Sequence, residues 1–169
     1  MERRGDETAR CLLVARPGTY RDRLVKVLTS HFAHVQAVER RYESLVHLAL
    51  QRYAIAVLEE KPNEPHLPEY IDLARTVQPS LAIALLASRL EIHHAILAMR
   101  NGADDVVFRP IILSDFGPRL RGAIHRREAI SERMRRAAVA ATESGVDRSL
   151  TPNWDALIHT CRTRLLEHA

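Results

Sequence analysis

The chain has 169 residues, 46% hydrophobic and 27% charged, which suffices for one ordinary domain with an appendage and excludes a chain disordered throughout. The net charge of +4 is carried almost wholly by Arg, so nucleic-acid or anionic-surface contact would require those Arg residues to cluster on one face. No apolar run approaches the roughly 20 residues of a membrane span and the polar start leads into no leader, so the expected setting is soluble and cytoplasmic, with no membrane.

In chain order, residues 1–9 read as a flexible polar tail. Cys11-Leu12-Leu13-Val14 is a buried strand, and Arg16-Pro17-Gly18-Thr19 turns the chain. Tyr20 to Phe32 is a helix, with Leu24, Val27, Leu28 and Phe32 on one stripe. Val35 to Val38 is a second strand and Tyr42 to Arg52 a second helix. Ala54 to Leu58 is a third buried strand, with Glu59 and Glu60 following at once. Lys61 to Pro68 holds three Pro residues and is a loop; Glu69 to Val77 is a short helix stopped by Pro79. Leu81 to Leu86 is a fourth strand. Glu91 to Arg100 is a helix with Ile92, Ala95, Ile96 and Met99 on one stripe.

The stretch from Asn101 to Pro110 is the most informative. Asn101-Gly102 stops the preceding helix, because Gly takes the left-handed conformation without a Cβ penalty. Asp105 to Phe108 is a short strand whose Val106, Val107 and Phe108 suit cover on both faces. Arg109 and Pro110 then mark the strand end. Strands alternating with amphipathic helices five times over imply a parallel sheet with helices on both faces.

Five βα units, the Gly102-Ala103 to Arg109-Pro110 run and an apolar third strand ending in an acid make the chain similar to the receiver domains of two-component response regulators, from about Arg10 to Glu128. The resemblance implies a flavodoxin-like (βα)5 fold of strand order 2-1-3-4-5, with crevice chemistry at the carboxyl ends of the strands. It also implies a cis peptide between Arg109 and Pro110. In that family, acids after the first strand hold Mg²⁺ beside a phosphoacceptor Asp after the third. A Thr or Ser after the fourth strand and a Lys after the fifth contact the phosphoryl group.

Here those positions fall on Ala15 and Arg16, on Glu59 (or Glu60), on Ala87 with Ser88 beside it, and on Arg109, with Pro110 retained. Mg²⁺ takes near-octahedral oxygen ligands; Ala15 supplies none and Arg16 brings positive charge. Glu is a methylene longer than Asp. The expectation is a degenerate, pseudo-receiver pocket with no catalysis, no metal and no cofactor. Glu59 is placed to sit between Arg16 and Arg109, where guanidiniums can form bidentate, charge-assisted hydrogen bonds.

Other signals carry less. The turn at Arg16-Pro17-Gly18-Thr19 lacks the hydroxyls and glycines of a phosphate or flavin cradle. His93 and His94 diverge on their helix, and His31 with His34 finds no third metal ligand. Cys11 and Cys161 read as buried small hydrophobes. No nucleophile elbow or zinc-protease motif is present.

The last long helix starts near Ser114 and runs to about Ala141. Phe116, Leu120, Ala123, Arg127, Ile130, Met134, Ala137 and Ala141 form a seam of period 3.5, interrupted by Arg127 and flanked by Arg residues. Residues 129–169 form a helical extension, with a break near 143–150 and a final helix over 152–168 carrying Trp154, Leu157, Ile158, Cys161 and Leu165. The expected function is phosphorylation-independent signalling by contact with other signalling proteins and as a homodimer. The expected face comprises Ile92, Ala95, Met99, Phe108, Phe116, Leu120, Ile130 and Met134. Two alternatives remain: a transcriptional or RNA-binding regulator using the Arg-rich helix, and an active receiver phosphorylated on Glu59 or Glu60.

Overall fold

The structure, a computed structural model, describes residues 9–60, 67–88 and 92–143. The expected final helix, Cys161 and most of the Pro-rich loop lie outside the described residues. The elements alternate as β1 (Arg10–Val14), α1 (Thr19–Leu28), β2 (His34–Val38), α2 (Arg41–Leu50), β3 (Ile55–Glu59), α3 (Leu67–Val77), β4 (Ala82–Ala87), α4 (Ile92–Arg100), β5 (Asp105–Phe108) and α5 (Leu113–Glu143). The strands form one parallel sheet in the order β2-β1-β3-β4-β5. This is the doubly wound flavodoxin-like arrangement that the resemblance implied.

The two-residue side-chain period splits the strands between two cores. Leu12, Val14, Ala56, Leu58, Ile83 and Leu85 pack against α2, α3 and α4. Cys11, Leu13, Ile55, Val57, Ala84 and Leu86 pack against α1 and α5. The central strands are apolar on both faces because both faces are covered. In register, Val14 lies beside Leu58, Leu58 beside Leu85 and Ala87 beside Phe108, so four strands end along one edge.

Three expectations need correction. First, α1 ends at Leu28, four residues before Phe32. The Thr29 hydroxyl donates to the Lys26 carbonyl at 2.9 Å and the Ser30 hydroxyl to the Val27 carbonyl at 2.6 Å, taking acceptors that another turn would use. Second, α4 is turned about its axis. Its sheet-facing residues are Ala95 and Ala98, whereas Ile92, Ile96, Leu97 and Met99 are about half exposed. Third, the long seam of α5 is two segments. Phe116, Leu120 and Ala123 are buried in the domain's own core, so Ala95, Phe116 and Leu120 do not contribute to a surface face.

Arg127 explains the interruption. Its Nε donates to Asp104 Oδ1 at 2.9 Å, while Arg75 Nη2 donates to Asp104 Oδ2 at 2.6 Å. Asp104 Oδ2 also accepts the Ile83 N–H at 2.7 Å. One buried carboxylate thus joins α3, α5 and the start of β5, at the sheet edge opposite the strand ends. Burial pulls the Arg75 pKa down, and the Asp104 charge opposes that shift.

Candidate functional site

The carboxyl edge of the sheet brings three of the expected pocket residues together. Glu59 closes β3 and is buried, at 5% exposure. Its Oε2 accepts the backbone N–H of Arg16 at 2.9 Å. The Arg16 guanidinium contributes little, with Nε 3.9 Å away on a side chain 60% exposed. Glu59 Oε1 lies 3.3 Å from Arg109 Nη1, on a side chain 28% exposed. The expected bidentate clasp is therefore replaced by one backbone bond and one guanidinium contact. The backbone bond follows from position: Arg16 sits in the turn just past β1, beside the tip of β3.

Arg109 is held on three sides. Its N–H donates to the Ala87 carbonyl at 2.9 Å, which extends the β4–β5 ladder by one residue. Its guanidinium carbon lies 5.7 Å from the Tyr20 ring centroid, within cation–π range. The Arg109–Pro110 peptide is cis. Burial pushes the Tyr20 phenol up; the Arg109 charge pulls it back and the Glu59 charge adds to the rise. Tyr20 had no role in the sequence reading. Its signal was its place in the first turn of α1, directly after the strand-1 turn.

The remaining pocket residues surround this cluster. Ala15 is buried, and its N–H donates to the Val38 carbonyl at 3.0 Å. Ala87 is buried and Ser88 half-buried. Glu60 is buried, and its N–H donates to the Leu86 carbonyl at 2.9 Å. Among the described residues, no group of three or more His, Cys, Asp or Glu is placed to hold a metal ion.

Beside the cluster, a groove of about 270 Å³ opens between the end of β5 and the start of α5, lined by Phe108, Arg109, Pro110, Ile112, Phe116 and Arg119. Arg119 grips Asp105 with two donors, at 3.1 and 2.7 Å, and also donates to the Val106 carbonyl at 2.9 Å. That hydrogen bonding to Asp105 raises the Arg119 pKa. Ile112 and Leu113 project from the rim, and Ile92, Ile96, Leu97 and Met99 from α4.

This combination of strand order, crevice edge and alternating helices is the fold of response-regulator receiver domains. Solved structures similar to this chain include a response-regulator receiver domain protein from Clostridium thermocellum, at 18% identity and TM-score 0.63, covering 72% of this chain and 98% of that one. The signal receiver domain of an HD domain-containing protein from Pseudomonas fluorescens Pf-5 is similar at 17% identity and TM-score 0.66, covering 75% and 94%. A Rhodopirellula baltica structure named adenylate cyclase is similar at 18% identity and TM-score 0.66, covering 78% and 98%. No protein-family model and no curated protein sequence matches the chain. Among the described residues, no helix is long and apolar enough to cross a membrane.

Proposed function

We propose that this protein transmits a signal by protein–protein contact and self-association, with a receiver pocket that carries out no phosphoryl transfer. The observation that carries the reading is the Glu59 cluster. Phosphoryl transfer in such a crevice needs a free carboxylate beside a divalent cation that neutralises the incoming charge. Here the Glu59 carboxylate at the tip of β3 already accepts from Arg16 and faces Arg109. Ala15 offers no oxygen, and Arg16 and Arg109 place positive charge where a cation would sit. The residues present do not suit Mg²⁺. The internal Arg–Glu contact supplies a fixed charge balance in its place.

What supports the contact role is the apolar surface of α4. Four large aliphatic side chains are about half exposed on one short helix, while its alanines face the sheet. Ile112 and Leu113 add to the exposed apolar area. Exposed apolar surface of this extent marks an interaction site on a soluble domain.

Incubation with a small acyl phosphate and Mg²⁺, followed by intact mass measurement, tests the silent pocket. The expected result is no phosphorylated species, and stoichiometric labelling overturns it. Light scattering tests self-association. The wild type is expected to be a dimer and Ile96→Glu a monomer. A monomeric wild type, or a dimer indifferent to Ile96→Glu, removes α4 as the contact.

A further inference from the structure

We propose that the projecting half of α5, from Ile130 to Ala141, docks an acidic amphipathic helix of a different protein. The inference rests on the contact-signalling role above and adds the chemistry of the partner.

α5 has 31 residues, about 46 Å at 1.5 Å per residue. Only its first half belongs to the domain. Phe116, Leu120 and Ala123 are buried, and Arg127 is committed to Asp104. From Arg133 to Ala141 every side chain is exposed. Ile130, Met134, Ala137 and Ala141 follow each other at spacings of 4, 3 and 4 and form an apolar stripe on this exposed half.

The stripe does not suit a second copy of itself. Residues flanking a helical seam choose its partner by charge. Arg133 lines one flank, preceded by Arg126, which donates to the Asp104 carbonyl at 3.0 Å, and Ser131 and Ala138 line the other. In a parallel self-pair, Arg133 would face alanine and Arg126 would face serine, with no attraction. In an antiparallel self-pair, Arg would face Arg. Ala137 and Ala141 would also meet their own short side chains and bury little area. A partner with large aliphatic or aromatic residues would fill the space above them.

The acids of this half cannot complete the flank. Glu132 lies away from the stripe and holds Arg135 and Arg136, each at 2.8 Å. Glu128 lies beside His125, at 3.5 Å. Those contacts leave the Arg133 guanidinium without a hydrogen bond or ion pair among the described residues. The face therefore presents an apolar stripe edged by an unmatched guanidinium. A helix with bulky apolar residues and Glu or Asp along one flank is complementary to it in shape and charge.

The test is fluorescence anisotropy on the full chain with three labelled helical peptides. Two share a Leu stripe and carry Glu or Lys flanks; the third keeps Glu flanks with a Ser stripe. A duplex DNA is the fourth probe. The Glu-flanked Leu peptide alone is expected to bind. Arg133→Glu should weaken it about tenfold and admit the Lys-flanked peptide. Met134→Asp should abolish binding; both side chains are exposed, and unchanged thermal melting checks that the variants fold. Equal binding of Glu- and Lys-flanked peptides, binding of no peptide, or capture of DNA in preference to peptide overturns the proposal. Light scattering separates it from the self-association reading. A dimer that captures no peptide defeats only the proposal made here, and a monomer that captures the acidic peptide defeats only self-association.

Discussion

Arg127 Nε donates to Asp104 Oδ1 at 2.9 Å, and this contact divides α5 into a half that belongs to the domain and a half that leaves it. Before Arg127, α5 buries Phe116, Leu120 and Ala123 against the sheet. After it, the apolar spacing continues with nothing beneath it among the described residues. The same carboxylate holds Arg75 of α3 at 2.6 Å, so α3 and α5 are fastened to one point at the start of β5.

Asp104→Ala is expected to destabilise the domain by about 3–5 kcal/mol, the usual cost of removing one partner of a buried ion pair. The substitution also leaves the Ile83 N–H without its acceptor. Urea unfolding followed by circular dichroism measures the change. A loss under about 1 kcal/mol would mean that both guanidiniums reach water without the carboxylate.

Glu59→Ala is expected to cost about 1–3 kcal/mol, because the Arg16 N–H and the Arg109 guanidinium both lose an acceptor at a buried position. Glu59→Gln keeps a carbonyl oxygen in place and should cost less. Thermal melting of the two variants ranks them, and an order reversed from this would show that the negative charge itself is unfavourable there.

Gly117 is confined by a ring. A Cβ built at this position would overlap the ring of His31, which stands in the turn after α1, so the glycine gives that ring its room against α5. Gly117→Ala should therefore destabilise the wild type. In a His31→Ala background the same change should stabilise by up to about 1 kcal/mol, because Ala is the better helix former. A double-mutant cycle reads the sign change, and equal effects in both backgrounds would place the ring elsewhere.

Cys11 is fully buried in β1, and burial pushes its thiol pKa far above the ordinary range. In the folded protein it stays protonated, whereas the unfolded chain ionises near pH 8.5. The unfolded state alone then loses a proton. Stability contributed by the buried neutral thiol is complete below that pH and falls by up to about 1.4 kcal/mol per pH unit above it. In a Cys161→Ser background, a thiol reagent should leave native protein unlabelled at pH 8 and label it at the rate of global unfolding. Rapid labelling of native protein would contradict the burial.

The strands were legible in the residues themselves, and their order through the resemblance to receiver domains. Runs such as Leu12-Leu13-Val14 and Ala56-Val57-Leu58 are apolar at every position, which suits only a sheet covered on both faces. The meeting of Glu59 with Arg109 was legible because both sit at strand ends, and the ends of a parallel sheet share one edge. The turn of α4 was not legible. Ala95 and Ala98 look as apolar as Ile92, Ile96 and Met99, and periodicity cannot rank them; the narrow space beside β4 and β5 admits the small residues and leaves the large ones outside. The role of Arg127 was half legible. It broke the apolar seam, but its partner lies 23 positions earlier and comes near only when α5 folds back along β5.

By itself, then, the order of residues determined the alternation of strands and helices, the parallel sheet covered on both faces and the placing of Ala15, Arg16, Glu59 and Arg109 at strand ends. These follow from short-range periodicity and from which residue stands at each strand end. The tertiary structure alone decided which Arg16 group reaches Glu59, which face α4 shows to solvent and where α5 leaves the domain. Those depend on distances between segments far apart in the chain, and local pattern carries no measure of such distances.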